Sequence, residues 1–319
     1  MEKKRSFKFL IAEEIHVGSL DLFNFQNVTT DYSPNISRED LKSLLPEVDG
    51  LLIRKTVFDE ELIELSKNLK FVARAGAGVD NIRVDLLKEK GIALFSANEA
   101  NKDAVAEHTI GLITNLLNKI NLGDRQVKQN LWDREFNRGL EISGKTISII
   151  GFGNMGSALA QRLSGWQCDV LFFDKQPKKH SLPHVRQADL DEIFEKTDIL
   201  SLHLPLDSST KHWFDEQKIN SFKKPIFFFN TARGEITKLS WLKNGIINGK
   251  LKGLGLDVFD KEPIKLLDKE QREAFEFLSK HDAVLMTPHV AGWSVESYEK
   301  INKVLSEKIS AYLKENKIF

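Results

Sequence analysis

Residues 145–174 read KTISIIGFGNMGSALAQRLSGWQCDVLFFD. The run 146–150 is short, β-branched and apolar, the pattern of a strand buried on both faces. Gly151, Gly153 and Gly156 follow at once, spaced G-x-G-x-x-G. Residues 155–163 then carry Ala158, Leu159 and Leu163 on one side of a helix, and 168–173 form a second apolar strand ending in Asp174. Asp174 follows Gly156 at close to the roughly 20-residue offset of a dinucleotide-binding fingerprint. Gly151 permits a tight turn out of the strand. Gly153 lets a pyrophosphate approach the backbone, and Gly156 lets the helix pack close to the sheet. The N–H groups at the helix start, around Asn154 and Met155, favour anionic phosphates with the help of the helix dipole. Asp174 suits both hydroxyls of an unphosphorylated ribose and would repel a 2′-phosphate, which predicts NAD as cofactor. A glycine-rich turn with no ligand is the plainer alternative.

Working outward, 319 residues are enough for two domains. Lys plus Arg balances Asp plus Glu at 46 each, which argues against a broad nucleic-acid surface. The single cysteine, Cys168, opens a strand and reads as core packing. The N-terminus lacks the long apolar run of a signal peptide, and no stretch approaches the length of a membrane span. A soluble cytoplasmic protein is expected, with no metal site.

The first hundred residues alternate strand and helix. Strands are predicted at 7–12, 50–53, 70–74 and 92–96, with 27–32 a weaker candidate, and helices at 41–45, 59–65 and 84–90. Ser37 and Asp59 read as N-caps and Gly91 as the residue closing a helix. A single long helix is predicted over 103–121, apolar on more than one side, followed by helix and loop over 122–141. Six further strands are predicted at 146–150, 169–173, 199–204, 225–230, 252–257 and 283–286. Helices are predicted between most of them (190–195, 215–220 and 238–248), with a last one at 296–313. The fold class is α/β, with two doubly wound parallel-sheet domains.

Ligands in such sheets sit beyond the carboxyl ends of strands. Three successive strand ends carry Thr231-Ala232-Arg233-Gly234, then Asp260-Lys261-Glu262, then Pro288-His289. Reduction of a carbonyl needs a proton donor with a pKa near neutrality, which suits His289. Glu262 can hold the other imidazole nitrogen and raise its pKa. Arg233 offers a planar fork to a carboxylate and its adjacent carbonyl. Taken singly, each could be an ordinary loop residue; together they point to a 2-oxo acid as substrate.

The motifs RAGAGVDNI (74–82), NKDAVAEHTIGL (101–112), GKTISIIGFGNMG (144–156), HLPLDSST (203–210), FNTARGE (229–235), GLDVFDKEP (255–263) and TPHVAGW (287–293) run through the chain. Over essentially its whole length the sequence resembles the D-isomer-specific 2-hydroxyacid dehydrogenases. The resemblance implies a flavodoxin-like substrate domain, residues 1–100 and 291–319, into which a Rossmann NAD-binding domain, 101–290, is inserted. It implies Arg233, Glu262 and His289 as the catalytic trio and Asp257 at the nicotinamide carboxamide. Thr231 with Ala232, Leu204, Pro205, Thr210, His289 and Gly292 would lie along the cofactor. A homodimer formed through the 103–121 helix is also implied.

Gly76, Ala77 and Gly78 end a strand with small residues whose N–H groups could cradle a substrate carboxylate. Arg54 and Lys55 add positive charge at the end of the preceding strand. With them the chain looks most like the phosphoglycerate dehydrogenase branch, whose substrate carries an extra phosphate. Glyoxylate or hydroxypyruvate reduction is the alternative within enzymes. A NAD-sensing co-repressor that acts by protein binding is the alternative of a different class. Arg83 stands where the family commonly has Asp, and Asn98-Glu99 where it commonly has Pro-Gly. The chain length leaves no room for the serine-binding regulatory domain of longer phosphoglycerate dehydrogenases, so serine feedback is not expected.

Overall fold

The computed structural model describes residues 6–318. The chain divides into two compact units: one holds the chain up to Asn101 and again from Trp293, the other is Lys102–Gly292.

In the first unit, β1 (Phe7–Ile11), β2 (Val28–Tyr32), β3 (Gly50–Ile53), β4 (Phe71–Arg74) and β5 (Ala93–Ser96) form one sheet in the order β2-β1-β3-β4-β5. All its pairings are parallel, the flavodoxin-like strand order. The helices α1 (Arg38–Leu44), α2 (Glu60–Leu65) and α3 (Val84–Glu89) begin and end where local chemistry directs. Ser37 caps α1 by accepting from the Asp40 N–H, and Asp59 caps α2 by accepting from that of Leu62. Gly91, at φ +68°, turns the chain out of α3 in a conformation that favours glycine.

The second unit opens with α4 (Lys102–Leu117) and α5 (Ile120–Lys128). The single helix expected over 103–121 is thus corrected to two, because Lys119 takes a left-handed conformation, φ +53°. Then come β6 (Thr146–Ile150), α6 (Asn154–Arg162), β7 (Asp169–Phe173), β8 (Val185–Gln187), α7 (Leu190–Lys196) and β9 (Ile199–Leu202). They are followed by α8 (Glu216–Ser221), β10 (Ile226–Asn230), α9 (Leu239–Ile247), β11 (Leu251–Leu256), α10 (Lys269–Ser279) and β12 (Val284–Met286). The sheet has seven strands rather than the expected six, in the order β12-β11-β10-β9-β6-β7-β8. The extra one, β8, is a three-residue edge strand pairing with β7. Every pairing is parallel, so all carboxyl ends share one edge. The order reverses beside β6, the Rossmann switch point. α4 buries Val105, Ala106, Leu112, Ile113 and Leu116. Beyond α5, Leu131, Trp132, Phe136 and Leu140 stay exposed, Trp132 by 80%.

The last helix, α11 (Val295–Glu315), belongs to the first unit. Ser294 opens it with a reciprocal capping box to Ser297. Its buried Ile301, Leu305, Ile309 and Leu313 join Phe9, Ile11 and Phe71 of the first sheet in one apolar cluster. Among the described residues no helix is long and apolar enough to cross a membrane. Among them, too, no group of three or more His, Cys, Asp or Glu is arranged to hold a metal ion.

Candidate active site

Gly151 leaves β6 at φ +93°, and a Cβ there would meet the His203 carbonyl oxygen at 2.5 Å. A Cβ on Gly156 would stand 2.1 Å from the Gly151 carbonyl oxygen. Only glycine fits either place, so α6 can start hard against the strand end. Gly153 is different: nothing lies within 4 Å of where its Cβ would be, and as the N-cap residue of α6 it makes no side-chain capping bond. The helix therefore opens on an exposed glycine without a side-chain acceptor of its own. That combination fits the pyrophosphate of a dinucleotide. Asp174, at the end of β7, accepts the Phe152 N–H on Oδ2 at 3.0 Å and the Gln176 N–H on Oδ1 at 3.1 Å. It thereby ties the glycine turn to the next strand, and its remaining lone pairs can serve ribose hydroxyls.

The residues expected from the sequence to carry the chemistry follow β10, β11 and β12, three neighbours in the sheet. His289 Nδ1 lies 2.6 Å from Glu262 Oε2. The other oxygen of Glu262 accepts the Phe259 N–H at 3.0 Å, so the carboxylate is held at both ends. His289 has φ +55°, a left-handed conformation uncommon for a residue with a side chain. Its own N–H secures it, reaching the Asp257 and Thr287 carbonyl oxygens at 2.9 and 3.1 Å. Arg233 donates from Nη1 to the Ala232 carbonyl oxygen at 2.7 Å. Asn230 braces that turn by donating to the Arg233 carbonyl oxygen and accepting the Ala232 N–H.

Glu262 and His289 stabilise each other's charge. The Glu262 hydrogen bond raises the His289 pKa above its ordinary value; burial opposes this, and the Glu262 and Asp257 charges add to the rise. For Glu262, burial alone would raise the pKa, but the His289 bond and charge and the Phe259 N–H hold it below the ordinary range. A raised His pKa gives stability that is full below the ordinary pKa, about 6.5, and is lost as pH rises through the folded value. The depressed Glu pKa gives stability lost as pH falls through its folded value. The pair therefore supports the loop most between those limits. Glu262→Gln is expected to lower the His289 pKa, so the alkaline limb of carbonyl reduction should move to lower pH. A kcat/KM profile against pH that keeps its wild-type limb would contradict this.

Asp257 is fully buried. Its Oδ1 accepts the Thr287 hydroxyl and the Val290 N–H, and its Oδ2 accepts the Ala291 N–H. It anchors the loop that carries His289. His108 of α4 joins this network at the Thr287 hydroxyl, 3.1 Å away. Sequence reasoning passed over His108; a lone imidazole in the helical run AVAEHTIG is the signal that it left. Thr231 shares a hydroxyl contact with Thr109 at 3.1 Å. Leu204 and Pro205 follow β9, and the Thr210 hydroxyl donates to the Pro205 carbonyl oxygen at 2.6 Å. Gly292 ends the unit.

Arg54, Lys55 and the 76–78 turn belong to the first unit. The Glu13 carboxylate accepts the N–H groups of Arg54, Lys55 and Thr56 and the Thr56 hydroxyl. Burial works against the Glu13 charge, yet those bonds lower its pKa. The Arg54 guanidinium lies 3.8 Å from the Trp293 ring centre and 5.3 Å from that of Tyr298. At the expected 76–78 cradle, the Gly76 N–H donates to the Arg74 carbonyl oxygen at 2.8 Å.

Residues 110–291 match the family model described as D-isomer specific 2-hydroxyacid dehydrogenase, NAD binding domain. The chain belongs to the D-isomer-specific 2-hydroxyacid dehydrogenase family. It is 35% identical over 278 residues to a hydroxypyruvate reductase of Thermotoga maritima, covering 87% of this chain and 89% of that protein. It is 31% identical over 305 residues to a D-3-phosphoglycerate dehydrogenase of Archaeoglobus fulgidus, covering 95% of this chain but only 56% of that one. A glyoxylate reductase structure from Paecilomyes thermophila shares the fold with a TM-score of 0.87 at 23% identity, covering 98% of this chain and 97% of that one. As a member of the family, the protein is an NAD-dependent oxidoreductase acting on 2-hydroxy acids.

Proposed function

We propose that this dehydrogenase interconverts a 2-oxo acid and its D-2-hydroxy acid, with His289 giving and taking the proton. The observation that carries the reading is the 2.6 Å contact between His289 Nδ1 and Glu262. It fixes a proton on Nδ1 and leaves Nε2 as the working nitrogen. Reduced NAD, held at the 151–156 turn and Asp174, would supply the hydride. Arg233 binds the carboxylate and polarises the carbonyl through its fork of donors. As negative charge grows on the carbonyl oxygen, imidazolium Nε2 delivers its proton there. The neutral ring that remains keeps its Nδ1–H on Glu262, and the oxidative direction retraces these steps. An NADH oxidation screen across phosphohydroxypyruvate, hydroxypyruvate, glyoxylate, pyruvate and 2-oxoglutarate tests the reading; no turnover with any of them would defeat it.

For the cofactor, Asp174 is expected to favour NAD over NADP. Lys178, whose Nζ is 3.8 Å from Asp174 Oδ1, moderates the repulsion. Asp174→Ala should narrow the ratio of kcat/KM values for NADH and NADPH. Equal efficiency with both cofactors in the wild type would remove the role assigned to Asp174.

For the substrate, the reading is 3-phosphoglycerate and 3-phosphohydroxypyruvate, in serine biosynthesis. Its support is Arg54, which stacks on aromatic rings and has no carboxylate partner within 4 Å among the described residues. Such a guanidinium is pre-organised for a second anionic group, with Lys55 beside it. Hydroxypyruvate or glyoxylate is the second reading, favoured by the Thermotoga maritima relative. The exposed Leu131, Trp132, Phe136 and Leu140 beyond α4 and α5 support a homodimer built from that region. Sedimentation should give twice the chain mass, and Trp132→Glu should shift it toward monomer.

A further inference from the structure

Helix α9 starts without a cap of its own. Its N-cap residue is Lys238, and no side chain of that residue accepts from the first turn. A lysine cannot accept, and its charge is disfavoured at the positive end of a helix. The acceptor comes from elsewhere: both carboxylate oxygens of Asp260 take the Leu239 N–H, at 3.0 and 3.1 Å. Asp260 lies in the loop after β11, one residue past Phe259 and two before Glu262.

A second suture joins the same two segments. A Cβ on Gly234 would lie 1.8 Å from the Phe259 carbonyl oxygen and 2.7 Å from its Cα. The residue after Arg233 thus packs backbone to backbone against the residue before Asp260. Segment 233–239 therefore touches segment 259–262 at two points, Gly234 against Phe259 and Leu239 against Asp260. Glu262 closes the loop on itself through the Phe259 N–H and reaches His289 with its other oxygen. Asp260 is partly buried, and burial pushes its carboxyl up to about 6, with Asp268 adding to the rise and the Leu239 N–H and Lys238 opposing it. Lys211, His212, Glu235 and Glu270 line the same recess.

We infer that Asp260 is a positioning residue: by capping α9 from the neighbouring loop, it sets Glu262 against His289 and holds Arg233 in register with them. This rests on the catalytic reading of those three residues given above. The test compares Asp260→Ala, Asp260→Asn and His289→Ala in 2-oxo acid reduction. In Asp260→Ala, kcat should fall roughly 10–10²-fold, as for a small misplacement of catalytic groups, while NADH binding by fluorescence titration is unchanged. Its alkaline limb should move to lower pH, because Glu262 no longer sits firmly on Nδ1. Asp260→Asn keeps an oxygen for the Leu239 N–H and should restore most of kcat and the limb. If Asp260→Ala gives no folded protein, Asp260→Ser replaces it, since its shorter side chain cannot span to Leu239. A lower melting temperature with kcat and limb unchanged would overturn the inference and leave Asp260 as a helix cap only. So would an Asn variant as impaired as Ala. An active His289→Ala would instead bring down the reading of the trio, and this inference with it.

Discussion

Replacing His289 by alanine is expected to lower kcat for 2-oxo acid reduction by roughly 10²–10⁴-fold, the usual contribution of a general acid–base group. The side chain is half-exposed, at 49%, so its removal opens no cavity in the core. The loop beneath it is also held by Asp257, which accepts from Thr287, Val290 and Ala291. NADH binding should therefore persist, and fluorescence titration of the variant provides that control. Glu262→Gln should be milder than His289→Ala, because the imidazole remains and only its proton affinity falls. The order matters as much as the size. If Glu262→Gln proved the more damaging, Glu262 would be the proton carrier and His289 its support. Turnover near wild type in His289→Ala would end the assignment.

Arg54→Ala is the second large effect. A charge-assisted contact is worth about 1.5–3 kcal/mol, so kcat/KM for phosphohydroxypyruvate should fall roughly 10–10²-fold more than for hydroxypyruvate. The two substrates share carboxylate and carbonyl and differ in the phosphate, so the ratio isolates that group. The neighbouring backbone should survive the change, because Glu13 holds the N–H groups of residues 54–56 and not the guanidinium. Equal losses on both substrates would assign Arg54 to their shared end. A wild-type preference for hydroxypyruvate or glyoxylate would transfer the substrate to the second reading.

The parts of this fold that show in the sequence are those with a local cause. Three glycines after a β-branched run declare the turn into α6, because no other residue tolerates the backbone distances at Gly151 and Gly156. Ser37 and Asp59 declare helix starts by their own oxygens. Arg233, Glu262 and His289 stand out because each follows a strand and each has a chemical type suited to one step. What stayed hidden depends on tertiary contacts or weak local pattern. The break between α4 and α5 falls on a left-handed lysine, which carries none of the glycine signal. Strand β8 has one buried residue in three, Val185. Helix α10 buries only Ala274 and Leu278 along a charged run. The Asp260 cap joins residues 21 apart, and no spacing rule would pair them.

The placement of α11 has a consequence for how the protein is made. Its Ile301, Leu305, Ile309 and Leu313 complete the apolar cluster around Phe9 and Phe71, and the Tyr298 hydroxyl reaches the Glu14 carbonyl oxygen across 284 positions of chain. Burying each such side chain is worth about 1.5–3 kcal/mol. On the ribosome, the first five strands emerge early, but the α11 share of this cluster is missing until residues near 300 have been translated. At about 5–20 residues per second, that interval lasts on the order of ten seconds to a minute. The inserted unit has every one of its strands in hand before then and can fold first. The nascent N-terminal sheet is thus the segment that chaperones would have to shield, although it is the first to be synthesised.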